Sequence, residues 1–259
     1  MIPLKDNIPT LRFPFVTVAL IILNVLAYLL TIRHGGSLIS GPTPQQEIKY
    51  GAIPFALTHP GDQCGLITTA AGSQAIECVK GTLPGAIPTW ETVFTGMFMH
   101  ASIIHIGGNM IFLWIFGNNV EDSMGPVKFF FFYIVGGIAA LALQVAIDPN
   151  STTPTLGASG AIAAVLGGYI VLYPKARVLT LVFIILFFTV IELPALVMLG
   201  IWFAEQAVFA AVGLTTATGG SGGGGVAYFA HIGGFVFGAL TIKLLATRRR
   251  QIPSAHPVY

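Results

Sequence analysis

TLGASGAIAAVLGGYIVLYP, residues 155–174, is the stretch on which the fold turns. Between Ser159 and Leu172 it carries no charged side chain and is rich in Gly and Ala. A helix needs about 20 apolar residues to cross the hydrocarbon core, so a run over 159–173 is short for a full crossing. Small residues recur on one face, with Gly160, Ala164 and Gly168 at i, i+4 spacing. Ala230, Gly234 and Gly238 repeat that spacing near the C-terminus. In membranes such stripes let helix backbones approach closely. Tight packing alone accounts for most of these glycines, but the same two segments carry Ser159 and His231.

Outward from this segment the chain keeps the character of a polytopic membrane protein. Of 259 residues, 54% are hydrophobic and 8% charged, against about 25% charged in soluble domains. A net charge of +2, with no basic face interleaved with aromatics, argues against nucleic acid as a partner. The opening MIPLKDNIPTLRFP is mixed in character, unlike a cleaved signal peptide. Apolar runs predict spans over 14–32, within 92–117, over 127–147 and over 159–173. Glu192 and Pro194 divide the next run. That predicts an interfacial or re-entrant piece over 179–191, then a fifth span over 194–212. A sixth span covers 226–246 and is closed by Arg248, Arg249 and Arg250.

Six spans place both termini on one side of the membrane. With that side cytoplasmic, the inside segments hold Lys5, Arg12, Lys128, Lys175, Arg177, Lys243 and the Arg triplet. The outside holds only Arg33, Lys49 and Lys80, so the positive-inside bias predicts N-in, C-in. The expected organisation is a cytoplasmic segment (1–13), a six-span domain (14–246) and a cytoplasmic tail (247–259). External loops fall at 33–88 and, flexible and Gly-rich, at 213–225. Cys64 and Cys78 both lie in the first of these loops. A disulfide there would contribute about 3 kcal/mol by closing a short loop; two unpaired thiols are the equal alternative. Neither Cys has a His or another Cys at ligand spacing, so no metal is expected.

Ionisable and strongly polar residues are expensive in a bilayer, so each asks for a reason. His105 and Asn109 share one face of the second span at i, i+4, with His100 and Ser102 just upstream. Taken singly, each could be packing glue between helices. His231 alone could be a buried structural histidine. Ser159 alone could be a helix N-cap. Gly157 and Gly160 change that weighing, because they permit an unusual backbone and close approach of a substrate. Backbone N–H groups at a helix start can also hold an oxyanion. Together the residues supply amide hydrolysis: Ser159 as nucleophile, His231 as base, and His105 with Asn109 as oxyanion donors. No Asp or Glu accompanies His231 in its span, so a Ser–His dyad is the simpler expectation.

Three separated motifs here resemble the signatures of the rhomboid family of intramembrane serine proteases. They are HASIIHIGGN at 100–109, GASG at 157–160 and AHIGG at 230–234. GNNVEDSMG at 117–125 resembles the family's cytoplasmic-side turn, with Glu121 and Asp122 structural. The resemblance covers roughly residues 10–246 and implies an all-α fold, a six-helix membrane bundle. It implies catalysis by Ser159 and His231, oxyanion stabilisation by His105, Asn109 and Gly157, and no cofactor. His100, Ser102, Gly160, Ala230 and Gly234 are expected to shape the cavity or support the structure. It further implies that the fifth span and the loop before His231 act as a lateral gate and cap. The expected partners are the lipid bilayer and transmembrane-protein substrates, cut near the external face. The expected location is a bacterial inner membrane, with the site open to the outside.

Two positions depart from the family pattern. Ala163 stands where some members carry a Tyr that stacks on the catalytic His, which leaves the orientation of His231 to Tyr228 or another residue. Trp90-Glu91 stands where some carry Trp-Arg. Two rival functions are a catalytically silent rhomboid-like protein that binds membrane clients, and a small channel or transporter. Retention of both Ser159 and His231 speaks against the first; the lack of an internal repeat speaks against the second.

Overall fold

Within lipid every backbone N–H and C=O must find a partner inside the chain, and the apolar runs meet that demand as helices. A computed structural model describes residues 1–69, 72–184, 187–216 and 226–247. Residues 217–225 of the flexible loop expected at 213–225, the Arg248–Arg250 triplet and the tail lie outside the described residues.

The chain opens with β1 (Ile2–Asp6) and α1 (Phe15–Arg33). An external region follows: α2 (Pro44–Tyr50), α3 (Pro54–Thr58), the hairpin β2 (Asp62–Thr68) and β3 (Gln74–Lys80), and α4 (Thr89–Thr95). Next come α5 (Ile103–Phe112), a π-helical turn at Leu113–Gly117, α6 (Asn118–Met124), α7 (Pro126–Ile147) and α8 (Ser159–Leu172). The strands β4 (Arg177–Ile184) and β5 (Phe187–Pro194) precede α9 (Ala195–Thr216) and α10 (Tyr228–Leu245). Among the described residues five helices are long and apolar enough to cross a membrane: Phe15–Arg33, Ile103–Met124, Pro126–Ile147, Ala195–Leu214 and Tyr228–Leu245. Ser159–Leu172 is apolar but shorter. The protein is an integral, multi-pass membrane protein.

The fold is not all-α. The run at 179–191, expected as an interfacial or re-entrant piece, is a β-hairpin whose strand β4 also pairs antiparallel with β1. Val178 and Thr180 are fully buried on one face of β4 while Arg177 is exposed, a period of two that suits a strand. Its Val, Ile, Phe and Thr residues favour that conformation. A second departure concerns the segment at 92–117. Thr89–Thr95 and a 3-10 turn at Gly96–Phe98 are separate from α5, and the crossing helix starts only at Ile103. Ser102 sets that start, since its side chain accepts the His105 N–H at 3.1 Å as an N-cap. His100 and Ser102 therefore precede the span rather than lie in it. Gly213 to Thr216, expected in the loop after the fifth span, continue α9. Cys64 and Cys78 face each other across the β2–β3 hairpin and are joined as a disulfide.

α8 is the hub of the bundle. Every residue from Gly160 to Tyr169 is buried, enclosed chiefly by α7 and α10. The stripes read from the sequence meet here: a Cβ at Gly234 would run into the carbonyl oxygen of Gly160. One at Gly238 would strike the carbonyl oxygen of Ala164, and one at Gly160 would lie 2.7 Å from the Ala140 methyl. At the other end of the bundle, Glu121 of α6 caps α1. It accepts the N–H groups of Val16 and Thr17 at 3.0 and 2.8 Å, and the Thr17 hydroxyl at 2.7 Å. Asp122 accepts the Leu11 N–H at 3.0 Å.

Candidate active site

Gly157, two residues ahead of Ser159, has φ +115°, a left-handed conformation that costs an L side chain dearly. The strand leading to it is strapped down. Ala52 and Thr155 exchange two backbone hydrogen bonds, at 3.1 and 2.8 Å, and the Gly157 N–H reaches the Gly96 carbonyl at 2.9 Å. A Cβ at 157 would lie 2.9 Å from His105 Nε2 and 3.6 Å from Asn109 Nδ2. Close approach as well as backbone angle thus requires glycine. The same distances place His105 and Asn109 of α5 against the turn that presents Ser159.

Ser159 opens α8, and its Oγ lies 2.7 Å from Nε2 of His231 on α10. Nδ1 of His231 lies 2.7 Å from Oε1 of Gln206 on α9. The Trp202 ring, one turn before Gln206, sits 5.8 Å from the His231 ring, centroid to centroid. Tyr228, a candidate for orienting His231, instead stacks on Phe209 at 5.4 Å. The amide and ring set against His231 thus come from α9. Sequence reasoning missed Gln206, which is buried; its neighbour Glu205 is exposed. The available signal was the i, i+4 spacing of Trp202 and Gln206 on a largely apolar helix.

The donors at the turn are poised by their own helix. The Ala101 N–H points at His105 Nδ1 at 3.4 Å, so in a neutral imidazole the proton sits on Nε2, the atom that faces Gly157. Asn109 is buried, and its Nδ2 has no hydrogen-bond partner among the described residues. An unsatisfied buried donor beside Gly157 and His105 suits an acceptor that arrives with a substrate. His100 is fully buried, its Nδ1 3.3 Å from the Phe98 carbonyl and its ring edge-on to His105 at 5.1 Å. It buttresses His105 and does not line the cavity.

Ser159, His231, His105, Asn109, Gly157 and Ser102 all border one cavity of about 670 Å³. Ala230, Gly160 and Trp202 complete part of its wall. Gly234 lies behind it, in the α8–α10 contact. Among the described residues no three His, Cys, Asp or Glu side chains come together as a metal site.

Residues 88–248 match the family model of the rhomboid domain, well over half of the chain. The chain belongs to the rhomboid family. Rhomboid protein 1, mitochondrial, of Saccharomyces cerevisiae is 31% identical over 153 residues, 58% of this chain and 40% of the relative. Rhomboid-like protein 11, chloroplastic, of Arabidopsis thaliana is 33% identical over 75 residues, 29% of this chain and 26% of the relative. Presenilin-associated rhomboid-like protein, mitochondrial, of Homo sapiens is 30% identical over 92 residues, 35% of this chain and 24% of the relative. The chain thus spans well under half the length of these relatives. All three rhomboid motifs lie within the matched residues.

Proposed function

We propose that this rhomboid is an intramembrane serine endopeptidase that cuts transmembrane-protein substrates with Ser159 and His231. The observation that carries the reading is the 2.7 Å approach of Ser159 Oγ to His231 Nε2 at the wall of a cavity. Ser159 Oγ attacks the scissile carbonyl carbon as its proton passes to Nε2, and the carbonyl π pair moves onto oxygen. Asn109 Nδ2, His105 Nε2 and the Ser159 N–H hold that oxyanion. His231 then gives its proton to the leaving nitrogen, the C–N bond breaks, and an acyl-Ser159 remains. Water attacks the ester, giving a proton to His231, which returns it to Ser159 Oγ as the acid leaves.

In this reading Ser159–Leu172 also crosses and brings the spans to six, and the N-in, C-in topology with a protease domain over 14–246 follows. One end of the molecule gathers β1, the α6 turn, the β4–β5 hairpin and Thr247, whose N–H reaches the Ser123 carbonyl at 3.0 Å. That end carries Lys5, Arg12, Lys128 and Arg177. The opposite end carries the Cys64–Cys78 disulfide, which persists in an oxidising compartment. The names of the relatives place them in mitochondria and a chloroplast, so the bacterial inner membrane expected from the sequence gains no support from them.

The test is cleavage of a model transmembrane substrate by the purified protein in detergent. Wild type is expected to cut, while Ser159→Ala and His231→Ala are not. Cleavage surviving in Ser159→Ala would end this mechanism, and a folded wild type without cleavage would favour a client-binding role.

A further inference from the structure

We propose that Gln206 is the positioning residue of this site: from α9 it fixes the tautomer and orientation in which His231 can act as a base. The inference rests on the protease reading above. A neutral imidazole carries one N–H and one lone pair. Gln206 Oε1 can only accept, and at 2.7 Å from Nδ1 it takes that nitrogen's N–H. Nε2 is therefore left with its lone pair directed at the Ser159 hydroxyl, 2.7 Å away. Were the proton on Nε2 instead, the imidazole would donate to Ser159 and could not accept its proton.

The surroundings give Gln206 this role with few competitors. The small side chain of Ala163 cannot support the ring, and Tyr228 is stacked on Phe209. What remains is α9, which supplies the Trp202 ring and the Gln206 amide from one face, four residues apart. Gln206 is buried, and a hydrogen bond away from water fixes geometry more firmly than an exposed one. During attack the Ser159 proton moves to Nε2, and the Nδ1–H bond to the amide oxygen persists on the imidazolium. A neutral amide orients the ring and lends a dipole without lending a full charge. Seating of α9 therefore sets whether the base is in its productive form.

The experiment is steady-state cleavage of a model transmembrane substrate by the full chain in detergent, with Ser159→Ala as the blank. Gln206→Met keeps length and apolar bulk but removes the acceptor; Gln206→Glu keeps an acceptor oxygen. Gln206→Met is expected to lower kcat by about 10- to 100-fold, with KM within about twofold and thermal unfolding near wild type. Gln206→Glu is expected to recover most of that loss. A purely packing role reverses the order, because a buried Glu disturbs an apolar helix contact more than Met does. Gln206→Met turning over within about twofold of wild type, or Glu proving worse than Met, overturns the inference alone. A wild type no faster than the Ser159→Ala blank overturns the protease reading and this inference with it.

Discussion

The Asn109 amide is buried beside Gly157 with Nδ2 unpartnered among the described residues, an arrangement that costs free energy until an acceptor arrives. An oxyanion forms only near the transition state, so Asn109→Ala should lower kcat by about 10²–10³ with little change in KM. A rise in KM at unchanged kcat, measured by steady-state kinetics, would remove Asn109 from this role. Gly157→Ala should abolish turnover, because it forces a Cβ to 2.9 Å from His105 Nε2 at φ +115°. At this scale much was legible. Ser159, His231, His105 and Asn109 stand out because polar groups are rare in apolar spans. Gln206 escaped notice because nothing local in sequence ties residue 206 to residue 231, whereas His105 lies one turn from Asn109.

Among the elements, α1 owes its seat to a residue about a hundred positions downstream. Glu121 satisfies two of the N–H groups that begin α1, and its charge opposes the positive end of the helix dipole. Glu121→Ala should lower stability by about 3 kcal/mol, read as a fall in thermal unfolding temperature. Glu121→Gln should lose roughly half of that. The GNNVEDSMG turn was legible as structural, but its target was not, since a cap drawn from another helix leaves no trace near the helix it caps. The β4–β5 hairpin was hidden for a different reason. A short continuous apolar run fits a buried strand and a helical piece equally well, and the deciding partner, β1, lies at the other end of the chain.

Across the whole molecule, the N-terminal strand is tied to α8 through one carboxyl group. Asp6 accepts from Tyr169 Oη at 2.5 Å and from Asn119 Nδ2 at 2.7 Å. Burial raises its pKa from 3.8 to about 7, and the hydrogen bond from Tyr169 offsets this only in part. The folded chain thus holds a proton that the unfolded chain releases between pH 4 and 7. Stability from this group is greatest below that window and is lost as pH rises through it, by on the order of 4 kcal/mol. Thermal unfolding across this range should show that slope, and Asp6→Asn should flatten it. The membrane character and the apolar helices were legible from length and charge alone. The junction of β1, α6 and α8 was not, because it joins residues 6, 119 and 169.

Reaction with a fluorophosphonate, which phosphonylates an activated serine, asks directly whether Ser159 and His231 work together. The folded protein in detergent should gain one phosphonyl group, located at Ser159 by peptide mass spectrometry, and His231→Ala should lose it. An unmodified Ser159 in the wild type, or unchanged labelling in His231→Ala, would contradict the account.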